Sequence, residues 1–454
     1  MPETTDADAG GAGVSAIAGV GDSAGVSDNA ALSDDAAARV DVPPGRTVSR
    51  RRFLGGLGAV GAGAVAAGFG GGYAARAATP THSDHSTVPF YGEHQAGIAT
   101  PAQDRLAFGV LNLVDGATRS DVADLLQQWS AAAARMSQGQ LVGDSTLLNA
   151  PPLDTGEALD SPPSNLTVTI GYGPSFFDKR LGLQAKKPAA LQDLPPLPNE
   201  NLDPDYTGGD LCIQACSDNP LVAFHAVRNL ARLGMGVVVH NWMELGFGRT
   251  STTSTAESTP RNLLGFKDGT RNIKSQQADV MDNYVWVGSE TDQSWMKGGS
   301  YLVARRIRMF IENWDRDYLA DQQHVIGRVK GSGAPLSGGT EFTEPDFAAN
   351  DDQGDPVIPI DAHIRLASRE SNDGLQILRR GYSFTDGIDP VRGTLLGGLF
   401  FIAYMKNPDQ FVKLQQRLGT SDALNEYIQH TGSAVFACPP GITSDQHWGQ
   451  SLFA

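Results

Sequence analysis

Apolar side chains follow two rhythms along this chain of 454 residues. A period of two marks strands at residues 106–113 and 166–171, and again where Leu211, Ile213 and Ala215 alternate with polar or thiol neighbours. Residues 301–311, 378–384, 398–404 and 433–438 read the same way. The helical period appears at residues 118–134, where Val122, Leu125, Leu126 and Trp129 share a face behind a Ser120 N-cap. A second helix runs from Pro220, near N1, through Val222, Ala226, Val227 and Leu230 to a stop at Gly234. Residues 312–321 suggest a third, and residues 408–418 a fourth with Phe411, Leu414 and Leu418 aligned. Residues 191–210 form a Pro-rich connector and residues 331–359 a long polar Gly/Pro-rich loop. Strands interleaved with helices in both halves predict an α+β fold, with helices layered on antiparallel sheets.

The first 48 residues lack aromatic side chains and hold one Ile and one Leu, too little apolar surface to offset chain entropy, so they read as a disordered extension. Residues 49–77 read as a twin-arginine signal: Arg50 and Arg51 precede Phe53 and Leu54, a Gly-rich apolar run follows, and Ala75-Arg76-Ala77 suits cleavage. The glycines leave that run too weakly hydrophobic for an anchor, so no stable membrane span is expected after cleavage. The expected location is extracellular, periplasmic or at the cell envelope. Two domains follow, at residues 78–255 and 256–454. Twin-arginine export carries folded proteins, which hints at a cofactor loaded beforehand.

Composition narrows the function. A net charge of -16 argues against nucleic acid as partner, because phosphate contacts need a basic field. Three cysteines, with no C-x-x-C-H, give neither a disulfide framework nor covalent haem attachment. Cys212 and Cys216 would stand about 13 Å apart along a strand, beyond disulfide reach, so free packed thiols are expected. The nine histidines show no helical i, i+4 pair of the kind a zinc site uses.

The segment NLLGFKDGTRNI, residues 262–273, sets Asp268 among glycines; alone it reads as a turn. Together with FYGEHQAGI (90–98), HIRLA (363–367), ILRRGYSF (377–384) and GLFFIAY (398–404), in that order behind a twin-arginine signal, it resembles the dye-decolorizing peroxidase family, in particular its exported branch. The resemblance spans essentially the whole chain after the signal. It implies two ferredoxin-like domains with antiparallel sheets and peripheral helices, and one non-covalent haem b per chain held by the C-terminal domain.

By the same resemblance His363 is the iron ligand, Asp268 the distal acid and Arg379 the distal arginine. Glu426 falls where the family places the carboxylate that accepts a hydrogen bond from the ligand imidazole. Gly269, Thr270, Arg271 and Arg369 occupy haem-contact positions, with Arg379. The implied activity is reduction of hydrogen peroxide with one-electron oxidation of dyes, phenols or similar small donors. The alternative is a haem-handling deferrochelatase that releases iron from haem for an iron-uptake system. Trp286, Trp295, Trp314, Tyr382 and Tyr404 are candidate electron relays, each also a plausible core side chain. A homo-oligomer is left open.

Overall fold

The computed structural model describes residues 86–143 and 148–454. The expectations for the N-terminal extension and the twin-arginine signal lie outside the described residues, as do His82 and His85. Among the described residues no helix is long and apolar enough to cross a membrane.

Nine strands carry the fold: β1 (Arg105–Leu113), β2 (Thr167–Tyr172), β3 (Leu211–Ser217), β4 (Val238–Arg249), β5 (Ser300–Met309), β6 (Leu378–Arg379), β7 (Tyr382–Ile388), β8 (Leu395–Met405) and β9 (Ile428–Cys438). Every ladder between them is antiparallel. β6 and β7 both pair with β8, at Tyr404–Ala403 and from Phe400 onward, so they form one strand broken at Arg380 and Gly381. With that break counted as one strand, both halves share one order, fourth-first-third-second: β4-β1-β3-β2, then β9-β5-β8-β7. Each half is therefore a ferredoxin-like unit, the α+β architecture expected from the alternating periods.

The two sheets meet at both edges. Tyr172 of β2 pairs with Ala437 of β9, and Phe247 and Arg249 of β4 pair with Ser383 and Tyr382 of β7. With β5 and β8 also paired, the strands close into a ring. One face of the strands packs against the helices through Leu111, Val168, Ile170, Val303 and Val435. The other face encloses a second core of Phe108, Trp242, Phe384, Phe400 and Phe436. Cys212, Cys216 and Cys438 are free and buried in that second core, where burial raises the thiols of Cys212 and Cys438 well above the usual range.

Among the described residues the α-helices are α1 (Arg119–Met136), α2 (Pro220–Leu233), α3 (Ala278–Tyr284), α4 (Ile311–Trp314), α5 (Leu319–Ile326), α6 (His363–Leu366), α7 (Asp409–Ser421) and α8 (Gln450–Phe453). Thr118, not Ser120, caps α1. Its hydroxyl accepts from the Asp121 amide, and the Asp121 carboxylate accepts from the Thr118 amide at 2.9 Å, a capping box that satisfies two otherwise orphaned donors. The helix expected at residues 312–321 is instead α4 and α5, separated because Tyr318 adopts extended backbone (φ -64°, ψ 147°). The sequence reading omitted β4 and α3. In β4 the inward Glu244, the exposed His240 and the half-buried Asn241 blur the apolar alternation. Glu244 is nonetheless buried, paired at 2.8 Å with Arg306 of β5.

Candidate functional site

Asp268 sits in the loop before α3, and its position is set by the backbone. Its amide donates to the Pro260 carbonyl at 3.0 Å, and the Asn262 side chain donates to its Oδ2 at 3.2 Å. Gly269 has φ +92°, and a Cβ there would come within 2.7 Å of the Ser251 Cα. Only glycine accommodates both the turn and that approach.

Arg379 ends β6, at the strand break. Arg380 turns into the ring, fully buried, with its guanidinium bonded to the Thr100 carbonyl and the Gln103 side chain. Arg379 points the other way, and its Nη1 donates to Asp268 Oδ1 at 2.6 Å. The two side chains are 30% and 15% exposed, so the pair is open on one side. Asn272 fixes the arginine's backbone from both directions: its Oδ1 accepts from the Arg379 amide at 2.8 Å and its Nδ2 donates to the Arg379 carbonyl at 2.8 Å. Ser251 adds a third bond, donating to the same carbonyl at 3.0 Å. Asn272 and Ser251 were not singled out from sequence, although Asn272 lies within the quoted motif.

His363 opens α6. Its Nδ1 lies 2.6 Å from Asp422 Oδ2, which commits that nitrogen and leaves Nε2 available as a donor atom. The partner carboxylate is thus Asp422, and the expectation for Glu426 is corrected: Glu426 is exposed one turn further on. The physical reason is a cap. Asp422 is the N-cap of the turn Ala423–Glu426, where its Oδ1 accepts from the Leu424 amide at 2.9 Å, so the second oxygen is free and aimed at the imidazole. An aspartate opening a short turn is visible in SDALNE and was the available signal. Burial acts to lower the His363 pKa, but the charge and hydrogen bond of Asp422 outweigh it, and the imidazole is raised above its ordinary value. Asp268 adds to that rise and Arg379 opposes it.

Thr270, Arg271 and Arg369, expected at haem-contact positions, meet acids in this structure. Thr270 lies 3.3 Å from Glu341; Arg271 bonds Glu344 and Glu370, each at 2.7 Å; Arg369 reaches Glu370 at 3.0 Å. Lys267 also pairs with Glu341. The polar loop after α5 is thereby tied to the loop carrying Asp268.

The donor set fits a porphyrin-bound iron. Among the described residues no group of three His, Cys, Asp or Glu side chains is placed to hold a bare metal ion. A single imidazole with its far nitrogen fixed by a carboxylate suits an ion that brings its own equatorial ligands. Such an arrangement can bind haem at His363, accept and return a proton at Asp268 and stabilise negative charge at Arg379.

Residues 95–248 match the family model described as Dyp-type peroxidase, N-terminal, and residues 259–443 match Dyp-type peroxidase, C-terminal. A Yersinia pestis protein named deferrochelatase is 38% identical over 424 residues, 89% of this chain and 94% of that protein. The deferrochelatase of Escherichia coli strain K12 is 37% identical over 375 residues, covering 80% and 86%. Among solved structures, ferric DtpA from Streptomyces lividans superposes with a TM-score of 0.75 at 40% identity, covering 82% of this chain and 98% of that one. A DyP-type peroxidase from Cellulomonas bogoriensis gives 0.74 at 36% identity, covering 82% and 99%.

Proposed function

The chain belongs to the dye-decolorizing peroxidase family of haem-dependent peroxidases, and on that premise we propose that it reduces hydrogen peroxide at Asp268 and Arg379 with haem b held by His363. The observation that carries this reading is the 2.6 Å contact between Asp268 and Arg379, open to solvent on one side. When bound, haem supplies an iron that takes two oxidising equivalents from peroxide and hands them on singly to donors.

The protein's own groups do the rest. Asp268 takes the proton from the nearer peroxide oxygen and delivers it to the farther one, so that water rather than hydroxide leaves. The Arg379 guanidinium stabilises the negative charge that gathers on the departing oxygen. Asp422 accepts the Nδ1 proton of His363, which fixes the tautomer and raises the basicity of Nε2. Gly269 keeps the backbone thin where the loop must lie close to its neighbours. Dyes, phenols or similar small molecules are the proposed donors, and export by the twin-arginine route, to a site outside the cytoplasm, is part of the same proposal.

The test is rapid mixing of haem-loaded protein with peroxide. Asp268→Ala and Arg379→Ala should each slow peroxide reduction by roughly 10²–10⁴-fold. Rates equal to the unaltered protein in both variants would overturn the assignment.

The name deferrochelatase, borne by relatives 36–38% identical, favours a second reading in which the same site releases iron from haem. Free protoporphyrin accumulating after incubation with haem, without peroxide, would support it; haem that stays iron-loaded would remove it.

A further inference from the structure

We propose that Asn199, on the Pro-rich connector between β2 and β3, is a positioning residue for the haem ligand: through Asn425 it holds the turn that carries Asp422, and so sets how strongly Asp422 polarises the His363 imidazole. The inference rests on the haem reading of His363 and extends the chain of bonds behind that ligand into the connector.

The connector crosses to β9 and lies along it. The Asn201 amide donates to the His430 carbonyl, the Asp203 amide to the Thr431 carbonyl and the Gly208 amide to the Ser433 carbonyl, each at 2.9 Å, and the Asn199 carbonyl accepts from the His430 amide at 3.3 Å. Glu200 anchors this stretch by pairing with Arg305 of β5, which is 0% exposed. A guanidinium buried so deeply must keep its counter-ion, so the connector cannot slide along β9 without stranding a charge. By chain order these residues belong to the N-terminal half; by their contacts they lie on the C-terminal one.

Asn199 stands where the connector meets the Asp422 turn. Its φ of +61° lies in the left-handed region, which asparagine enters more readily than most residues. From there its Nδ2 donates to Asn425 Oδ1 at 3.1 Å and to the Ile428 carbonyl at 3.0 Å. One acceptor belongs to the turn Ala423–Glu426 and the other opens β9, so a single side chain ties the two together. Pro198, beside it, packs on the last turn of α7, where a Cβ on Gly419 would come within 2.7 Å of the Pro198 Cβ.

Asn425 passes the constraint to Asp422. Its Nδ2 donates to the Leu418 carbonyl at 2.9 Å, and the same carbonyl accepts from the Asp422 amide at 3.0 Å, so one acceptor with two lone pairs holds both ends of the turn. With its nitrogen on Leu418, the Asn425 amide must present its oxygen to Asn199. On the opposite side the Ala423 amide donates to the Asp361 carbonyl at 3.1 Å, two residues before His363. A tilt of the turn about that bond changes the 2.6 Å separation of Asp422 Oδ2 and His363 Nδ1, and Asn199 resists the tilt. Hydrogen bonds weaken as their geometry opens, so a loosened turn leaves Nε2 less basic and favours reduced over oxidised iron.

Haem-loaded full-length protein decides the matter. Asn199→Asp keeps the size and the backbone but turns an acceptor towards Asn425 Oδ1, and Asn199→Gly keeps the left-handed backbone alone. In both, the iron–imidazole band of the ferrous protein should move to lower frequency in the resonance Raman spectrum. The preference for ferric over ferrous iron should fall about tenfold, a rise in reduction potential of about 59 mV for one electron. Asp422→Asn should move both readings further in the same direction. Asn425→Asp, which keeps the acceptor for Asn199 and loses the donor to Leu418, should move them the same way and replaces the position-199 variants if those do not fold. An unchanged band and potential would overturn the positioning role, even with lowered unfolding stability, because the connector would then only brace the fold. An unaltered protein without an iron–imidazole band, or a band that ignores Asp422→Asn, would instead overturn the haem reading beneath it.

Discussion

The two halves of this molecule share one strand order and differ in what joins the strands. In the N-terminal half β1 leads to β2 through α1, an 18-residue helix with a full capping box that lays Val122, Leu125, Leu126 and Trp129 on the sheet. In the C-terminal half the matching connection, residues 310–377, holds three short helices and long loops, and it carries His363. The second strand tells the same story. β2 runs unbroken and fully buried, whereas its counterpart breaks between β6 and β7 and turns Arg379 outward. Asp268 precedes the first strand of that half, and Asp422 caps the turn before its last. One scaffold is used twice; regular connections stabilise it, and irregular ones expose the side chains of the proposed site.

That contrast predicts that damage to one half should cost stability and damage to the other should cost function. The largest effect expected is at Trp129, completely buried with its indole N–H on the Leu230 carbonyl at 2.7 Å. Trp129→Ala should cost about 3–5 kcal/mol in denaturant unfolding, with haem affinity of the folded fraction unchanged. A lost haem affinity in that folded fraction would break the division of labour.

Next in size is the ligand's partner. Asp422→Asn should weaken haem affinity or peroxidase activity about 10–100-fold, and Glu426→Gln should leave both within about twofold. The reverse ranking in a haem titration would restore Glu426 and discard the cap argument.

The smallest effect sits where the halves meet. Burial raises Glu244 from its ordinary 4.5 to about 7, with the Arg306 guanidinium opposing. The folded state then binds this proton more tightly than the unfolded chain, so its contribution to stability is complete below 4.5 and is lost as pH rises through about 7. Glu244→Gln should flatten the fall in stability across that window. A pH profile identical to that of the unaltered protein would show that Glu244 does not titrate there.

Much of the regular structure was legible because each helix carries one apolar stripe and the strands read as short apolar or alternating runs between turn residues. β1, β3, β5, β8, α1, α2 and α7 all announce themselves in this way. β4 did not, because its ion pair with Arg306 lets a glutamate occupy an inward position that periodicity assigns to an apolar residue. Closure of the ring was also invisible: the seams at Tyr172–Ala437 and at Phe247–Ser383 are backbone pairings that any side chain permits. At the site, motif order led to Asp268, Arg379 and His363, and the structure brings the first two into contact. The resemblance pointed to Glu426 as the carboxylate partner; Asp422 and Glu426 lie four residues apart, and only the cap geometry separates them.

The account stands most directly on His363. Full-length protein titrated with haem should bind one equivalent with an iron–imidazole vibration in its resonance Raman spectrum, and His363→Ala should lose that band together with most of its affinity. Unchanged axial coordination in His363→Ala would contradict the account.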